Sequence, residues 1–260
     1  MEKKRDSLYA STLGRGLQIL RAFDESHVAL SLTDLVARTG LEKSAVQRMA
    51  HTLHVEGMLE RDPKSRLYRP SHAWLELAYA YYWSDPLVGQ AIPKLIDLSQ
   101  ELGETINLAE LSGDHIVYVS RLPCKRTYFA ATIIGRRLPA LSTSGGRAML
   151  STFPEDERNR AIETWPIKRF TPSTTTDRAV IRESIERAVL DGFAISTGQM
   201  ILNEIGVAAP IVGHNGRAYA AVQCSVSAHT WSRERIEKDI LPKDPFVSID
   251  VEGVGALVEI

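Results

Sequence analysis

Apolar positions recur at helical spacing three times within the first seventy residues, and then the spacing changes. Leu13, Leu17, Leu20 and Phe23 predict a first helix with Ser11 as its N-cap. Ser31-Leu32-Thr33-Asp34 has the form of a capping box with Asp in the acidic position. Leu32, Leu35 and Val36 follow as an apolar stripe, and Gly40 is the natural stop. A third helix starts near Glu42 and buries Val46, Met49, Ala50 and Leu53 before Gly57. Two helices joined by a short glycine-containing turn form a helix-turn-helix. Residues 58–70 then read as two short strands around Asp62-Pro63-Lys64-Ser65, a β-hairpin in the position of a wing.

Residues 72–83 predict a short aromatic-rich helix that is apolar nearly all round, which calls for burial on more than one side. Core packing and packing against a second subunit both satisfy that demand. From Asp85 an amphipathic helix runs to about Leu102 with Leu87, Ala91, Leu95 and Leu98 on one face. Alternating segments at 105–111 and 116–120 predict strands about a turn at Gly113, and Phe129–Ile134 reads as another strand. Helical spacing returns at 146–151, 155–163 and 177–190. Two late strands, 207–212 and 218–226, flank His214-Asn215-Gly216, an Asn-Gly hairpin signal. Hairpins with helices on one face predict an α+β domain.

Composition narrows the class. No apolar run approaches the eighteen residues of a membrane span, and the charged N-terminus lacks the apolar stretch of a signal peptide. Cys124 and Cys224 stand far apart, which suits a reducing cytoplasm. Through residue 72 there are 12 basic and 9 acidic residues, leaving 19 and 23 for the remainder. The N-terminal part thus carries about three net positive charges, and the rest is acidic, which agrees with nucleic-acid binding at the N-terminal end.

The polar face of the third helix holds Lys43, Ser44, Gln47, Arg48 and His51. Gln can pair with adenine, Arg with guanine and Ser with either, while Lys64 and Arg66 on the wing suit phosphates. A merely solvated face has the same composition; the preceding helix, the glycine turn and the basic wing favour DNA. Thr143-Ser144-Gly145-Gly146 precedes a helix, where free amides can hold a carboxylate, although such loops are also ordinary turns. None of the seven histidines lies in an HExxH pattern, and GxSxG, GxGxxG and P-loop sequences are absent. No enzyme chemistry, metal or cofactor is expected. A metabolite-sensing protein whose winged helix contacts other proteins is the alternative.

The order of these motifs resembles the IclR family of bacterial regulators. The resemblance runs through residues 12–20, 31–41 and 43–49, the stretch Leu138-Pro139-Ala140-Leu141-Ser142-Thr143-Ser144-Gly145-Gly146-Arg147-Ala148, and the passage from Asp191 to Ile211. It implies an α+β protein with a winged helix-turn-helix at 1–71, a linker helix at 72–84 and a GAF-like effector-binding domain at 85–260. It also implies an operator-binding dimer or dimer of dimers in the cytoplasm, with double-stranded DNA and a small-molecule effector as partners. The effector positions it carries over are Leu138, Leu141, Ser144, Gly145, Ser196, Glu204, Gly206, Gln223 and Ser225. Many members have an acidic residue where this chain has Ser196, and Glu where it has Gln199. The loss of negative charge suits a small carboxylate effector, aromatic ones included.

Overall fold

The computed structural model describes residues 8–124 and 134–242. Two compact units divide between Tyr81 and Tyr82.

The first unit contains α1 (Ser11–Leu20), α2 (Leu32–Thr39), α3 (Lys43–Val55), β1 (Leu59–Arg61) and β2 (Tyr68–Pro70). Ile19, Leu35, Val46, Ala50, Leu59 and Tyr68 form its core. Asp34 N donates to Ser31 Oγ at 3.2 Å, and Ser31 N donates to Asp34 Oδ2 at 2.9 Å, so the capping box is complete. Removing the hydroxyl leaves a first-turn amide without its acceptor, so Ser31→Ala is expected to cost about 1 kcal/mol in urea unfolding. Gly40 ends α2 at φ +67°, in the left-handed region that a glycine reaches without a Cβ clash.

The first helix differs from its prediction in two respects. Ala10 occupies the N-cap position without a side-chain bond, and Ser11 is already helical. Gly16 and Ile19 face inward, whereas Leu13 and Leu17 are 64% and 43% exposed. Both sides of α1 carry apolar residues, and spacing alone does not say which one the rest of the unit covers.

The wing is a small sheet of β1 and β2, extended by a bridge in which Leu30 and Tyr68 exchange backbone hydrogen bonds of 2.9 and 2.8 Å. Its tip is organised by Asp62, whose Oδ1 accepts from Lys64 N (2.9 Å), Ser65 N (2.6 Å) and Ser65 Oγ (2.9 Å).

Next comes α4 (Ala73–Ser84). Trp74 packs with the core of the first unit, edge-on to Phe23, while Tyr82 packs with the core of the second. No residue of α4 is buried, and Leu75 and Trp83 are 72% and 73% exposed. The burial its composition calls for is therefore not supplied within the described chain.

The second unit is built on a six-stranded antiparallel sheet. Its strands are β3 (Thr105–Ser112), β4 (His115–Leu122), β5 (Arg137–Pro139), β6 (Ala194–Thr197), β7 (Glu204–Val212) and β8 (Ala218–Ser227), in the order β5-β4-β3-β8-β7-β6. Helices cover both faces rather than one. Against one face pack α5 (Pro86–Leu102) and α9 (Arg233–Asp239), where Leu87, Ala91, Leu95, Leu98 and Ile236 meet Ile106, Val207, Val222 and Cys224. Against the other lie α6 (Ser144–Ser151), α7 (Glu155–Thr164) and α8 (Arg178–Asp191). There Met149 meets Ala109, Ile116 and Ala221, and Ala148 and Ala188 meet Ala194 and Ala208. The central strand β8 is covered on both sides; Ala220, Val222, Cys224 and Val226 are apolar towards α5, while Gln223 and Ser225 are polar positions on the α6 side.

The turn at His214-Asn215-Gly216 also departs from expectation. Only Gly216 adopts positive φ, at +73°, and Gly213 N donates to Arg217 O at 3.0 Å. A two-residue type I′ turn needs positive φ at both central residues, so the connection is a longer loop with a single left-handed glycine. The predicted strand at Phe129–Ile134 lies outside the described residues except for Ile134, which is in a turn.

Candidate functional site

Every predicted DNA-contacting residue is exposed. Lys43, Ser44, Gln47, Arg48 and His51 lie on the outer face of α3, opposite Val46 and Ala50, and Lys64 and Arg66 lie on the wing. None of these side chains has a hydrogen bond or ion pair within the described residues. Arg69 on β2, by contrast, is held by Glu60 through Nε (2.8 Å) and Nη2 (2.5 Å), so it braces the wing. At the N-terminus of α3 Glu42 makes no capping bond, leaving first-turn amides available to an anion such as phosphate. His54 Nδ1 lies 2.9 Å from Leu59 O, tying the end of α3 to the wing.

The second candidate site lies on the face of the sheet under α6. Register puts Gly206 opposite Ser196 on one side and Ser225 on the other. An added Cβ at Gly206 would stand 2.8 Å from Ser144 Oγ, 3.1 Å from Gln223 Nε2 and 3.2 Å from Ser196 Oγ. Three polar groups from α6, β8 and β6 thus converge where β7 has no side chain. Ser144 is fully buried and its hydroxyl has no hydrogen-bond partner among the described residues. Gln223 is held by Tyr118, whose hydroxyl donates to Oε1 at 2.6 Å, so its Nε2 donors remain on the Gly206 side. Burial pushes the Tyr118 phenol well above its usual range, with the Glu204 charge adding to the effect. It therefore stays protonated as the donor.

Residues 12–63 match the IclR helix-turn-helix domain profile, and residues 80–243 match the profile of the bacterial transcriptional regulator IclR C-terminal domain. The chain belongs to the IclR family. Within it, the HTH-type transcriptional regulator XynR of Escherichia coli is 30% identical over 214 residues, covering 81% of this chain and 84% of that protein. The p-hydroxybenzoate hydroxylase transcriptional activator of Acinetobacter baylyi is 28% identical over 251 residues, covering 93% and 90%. The crystal structure of a transcriptional regulator from a Rhodococcus species is 33% identical with a TM-score of 0.75, over 90% of this chain and 94% of that one. This IclR-type chain is a DNA-binding transcriptional regulator with an α+β fold.

Of the effector positions expected in this IclR C-terminal domain, Ser144, Ser196, Gly206 and Gln223 come together, with Ser225 beside Gly206 in the sheet. Leu138 packs with Ile116, Tyr118 and Met149. Leu141 lies in a separate cluster with Leu150, Phe153, Ile162, Ile181 and Ile185. The missing side chain of Gly145 faces Ala221, Ile116 and Ala109 at 3.8–4.0 Å, so this glycine offers the site its backbone alone.

Three residues of this face were missed in the sequence: Asn107, Tyr118 and Arg121. Asn107 pairs in register with both Gln223 and Arg121, and Arg121 Nη1 donates to Asn107 Oδ1 at 3.2 Å. A polar residue inside an apolar strand was the available signal at Asn107.

Glu204 begins β7 two residues before Gly206, on the same side of the strand. Burial raises its carboxyl to about 7, opposed by the charge of Arg121. The native state therefore holds a proton that the unfolded chain releases near the ordinary value of 4.5. Stability from this group is complete below that value and falls as pH rises through about 7, by on the order of 3 kcal/mol. Thermal melts from pH 5 to 8 should show this decline in the wild type and a flatter profile in Glu204→Gln.

Proposed function

We propose that this regulator binds a pseudo-palindromic operator as a homodimer, or as a pair of dimers, and that a small carboxylate effector at the Gly206 cluster sets its affinity for DNA. The observation that carries the effector assignment is the buried, unpartnered Ser144 hydroxyl meeting Gln223 Nε2 and Ser196 Oγ. Hydroxyl and amide donors in a largely apolar surround orient and hold an anionic group. The name of the Acinetobacter relative, an activator for p-hydroxybenzoate hydroxylase, supports extending the effector class to aromatic carboxylates.

In this reading α3 lies in the major groove, where Gln47, Arg48 and Ser44 read base edges. Lys43, His51, Lys64 and Arg66 contact the backbone. Half-sites lie about one helical turn, roughly 10 bp, or a multiple of it apart. A second copy of the chain covers the exposed apolar residues of α1 and α4, including Leu13, Leu17, Leu75 and Trp83. No helix among the described residues is long and apolar enough to cross a membrane, and the reading places the protein in the cytoplasm. The effector must bind the DNA-competent and incompetent arrangements unequally, since equal affinity shifts nothing.

Fluorescence anisotropy on variant duplexes tests the division of labour on DNA. Arg48→Ala should relax preference at one base pair, with a loss of about 1–3 kcal/mol on the preferred sequence. Lys64→Ala should weaken all duplexes alike and reduce the salt slope by about one. Uniform loss in both variants would contradict the assignment of reading to α3.

A further inference from the structure

The effector domain holds a buried arginine that no acid accompanies. Arg147 on α6 is 4% exposed and is the only buried cation among the described residues. Its Nε donates to Leu141 O at 2.9 Å, Nη1 to Ser184 Oγ at 3.3 Å and Nη2 to Gln199 Oε1 at 3.4 Å. All three acceptors are neutral, and Arg147 forms no ion pair among the described residues. Burial pulls its guanidinium down to about 10, which still leaves it charged at neutral pH. A buried charge with hydrogen bonds but no counter-charge remains costly, and an anion that comes within reach lowers that cost. Gln199 occupies the place an acid would take. Its Oε1 also accepts from Thr175 N at 2.9 Å, while its Nε2 donates to Ser173 O at 3.1 Å and Thr197 O at 3.2 Å. A carboxylate there would turn one oxygen on two carbonyls, so these bonds favour the amide and leave Arg147 without a counter-charge.

We propose that Arg147 supplies the counter-charge for the effector's carboxylate and so selects acids over their neutral analogues at the Gly206 cluster. The proposal rests on the reading that the effector occupies that cluster. Ser144 and Arg147 are three residues apart on α6, which makes them neighbours on the helix surface. The anchors of the arginine lie on the same two segments that build the cluster. Leu141 stands three residues before Ser144, and Gln199 three residues after Ser196. The donors already placed there, Ser144 Oγ, Ser196 Oγ and Gln223 Nε2, are neutral and would hold an acid or an amide alike. Preference for a negative charge needs a positive one, and burial keeps water and salt from screening the charge of Arg147. The arginine keeps its three bonds and acts through its charge, across one helical turn.

Calorimetry of the full-length protein with 4-hydroxybenzoate and its neutral analogue 4-hydroxybenzamide tests this. The wild type should bind the acid at least about tenfold more tightly than the amide. Arg147→Met should bring that ratio below about threefold, whereas Arg147→Lys, which keeps the charge, should hold it near the wild-type value. Gln199→Glu, a second variant should Arg147→Met fail to fold, sets a carboxylate beside the guanidinium and should lower the ratio in the same way. A wild-type ratio that persists in Arg147→Met and Gln199→Glu would overturn the proposal while leaving the carboxylate reading in place. Parallel loss of affinity for both compounds, with the ratio unchanged, would mark Arg147 as a structural brace and also overturn it. So would a ratio lost in Arg147→Lys, since shape rather than charge would then matter. Binding of neither compound by the wild type would overturn the proposal together with the carboxylate reading.

Discussion

Gly206→Ala is expected to lower the affinity for the proposed carboxylate effector, with 4-hydroxybenzoate as the probe, by at least about 30-fold while leaving effector-free operator binding unchanged. The added methyl would stand 2.8 Å from Ser144 Oγ and 3.1–3.2 Å from Gln223 Nε2 and Ser196 Oγ, so it occupies the point on which the three groups converge. Those groups cannot all withdraw and still meet a ligand. Ser144 is fully buried in the first turn of α6, and Gln223 is tethered to Tyr118. The fold itself should tolerate the change, because the crowded atoms are side-chain ends and alanine is accommodated in a strand. Calorimetry measures the first effect, and anisotropy on operator DNA measures the second. Retained effector affinity in a folded Gly206→Ala protein would remove the cluster from the effector site.

Gly146→Ala should act on stability instead, costing about 3 kcal/mol and lowering the melting temperature of the effector domain by about 10 °C. A Cβ at Gly146 would overlap the carbonyl oxygen of Ala140 and stand 2.5 Å from its carbon and Cα. All three atoms are backbone, and that backbone is fixed on both sides. Ala140 N donates to Asp114 O at 3.1 Å, and Ala140 O accepts from Thr143 N at 3.1 Å. The neighbouring glycine makes a built-in comparison. A Cβ at Gly145 meets side-chain carbons only at ordinary contact distance, so Gly145→Ala should be neutral or slightly stabilising, as for glycine replaced within a helix. Scanning calorimetry of the two variants decides the matter; equal melting temperatures would mean that the Ala140 turn yields.

Local signals carried most of the DNA-binding unit. The Ser31–Asp34 box, the left-handed Gly40 and the Val46–Ala50 face are each set within a few residues, where cap chemistry and helical period act directly. The inward face of α1 was not legible, because it depends on which apolar side α3 and the wing leave room for, and both sides of α1 are apolar. The same holds for α4, whose composition called for burial that the described residues do not provide. In the effector domain the family resemblance pointed to Gly206, Gln223 and Ser196, while the pairing of β6, β7 and β8 that joins them is a matter of register. Tyr118 and Arg121 escaped notice because β4 has mixed polarity and its polar residues read equally well as a solvated edge. Their place on the face of the Gly206 cluster follows from register, since Asn107 pairs with both Gln223 and Arg121, and from the Tyr118–Gln223 bond. Leu141 shows the reverse, a position suggested by resemblance whose side chain is used in packing under α7 and α8.

The most direct test of the account is fluorescence anisotropy of the purified protein on the DNA upstream of its own gene, against a scrambled duplex, over a salt series with and without 4-hydroxybenzoate. The account predicts tight binding that prefers the native sequence, weakens steeply with salt and shifts with effector in the wild type but not in Gly206→Ala. Equal, weak binding to both duplexes at every salt concentration, unmoved by effector, would contradict it.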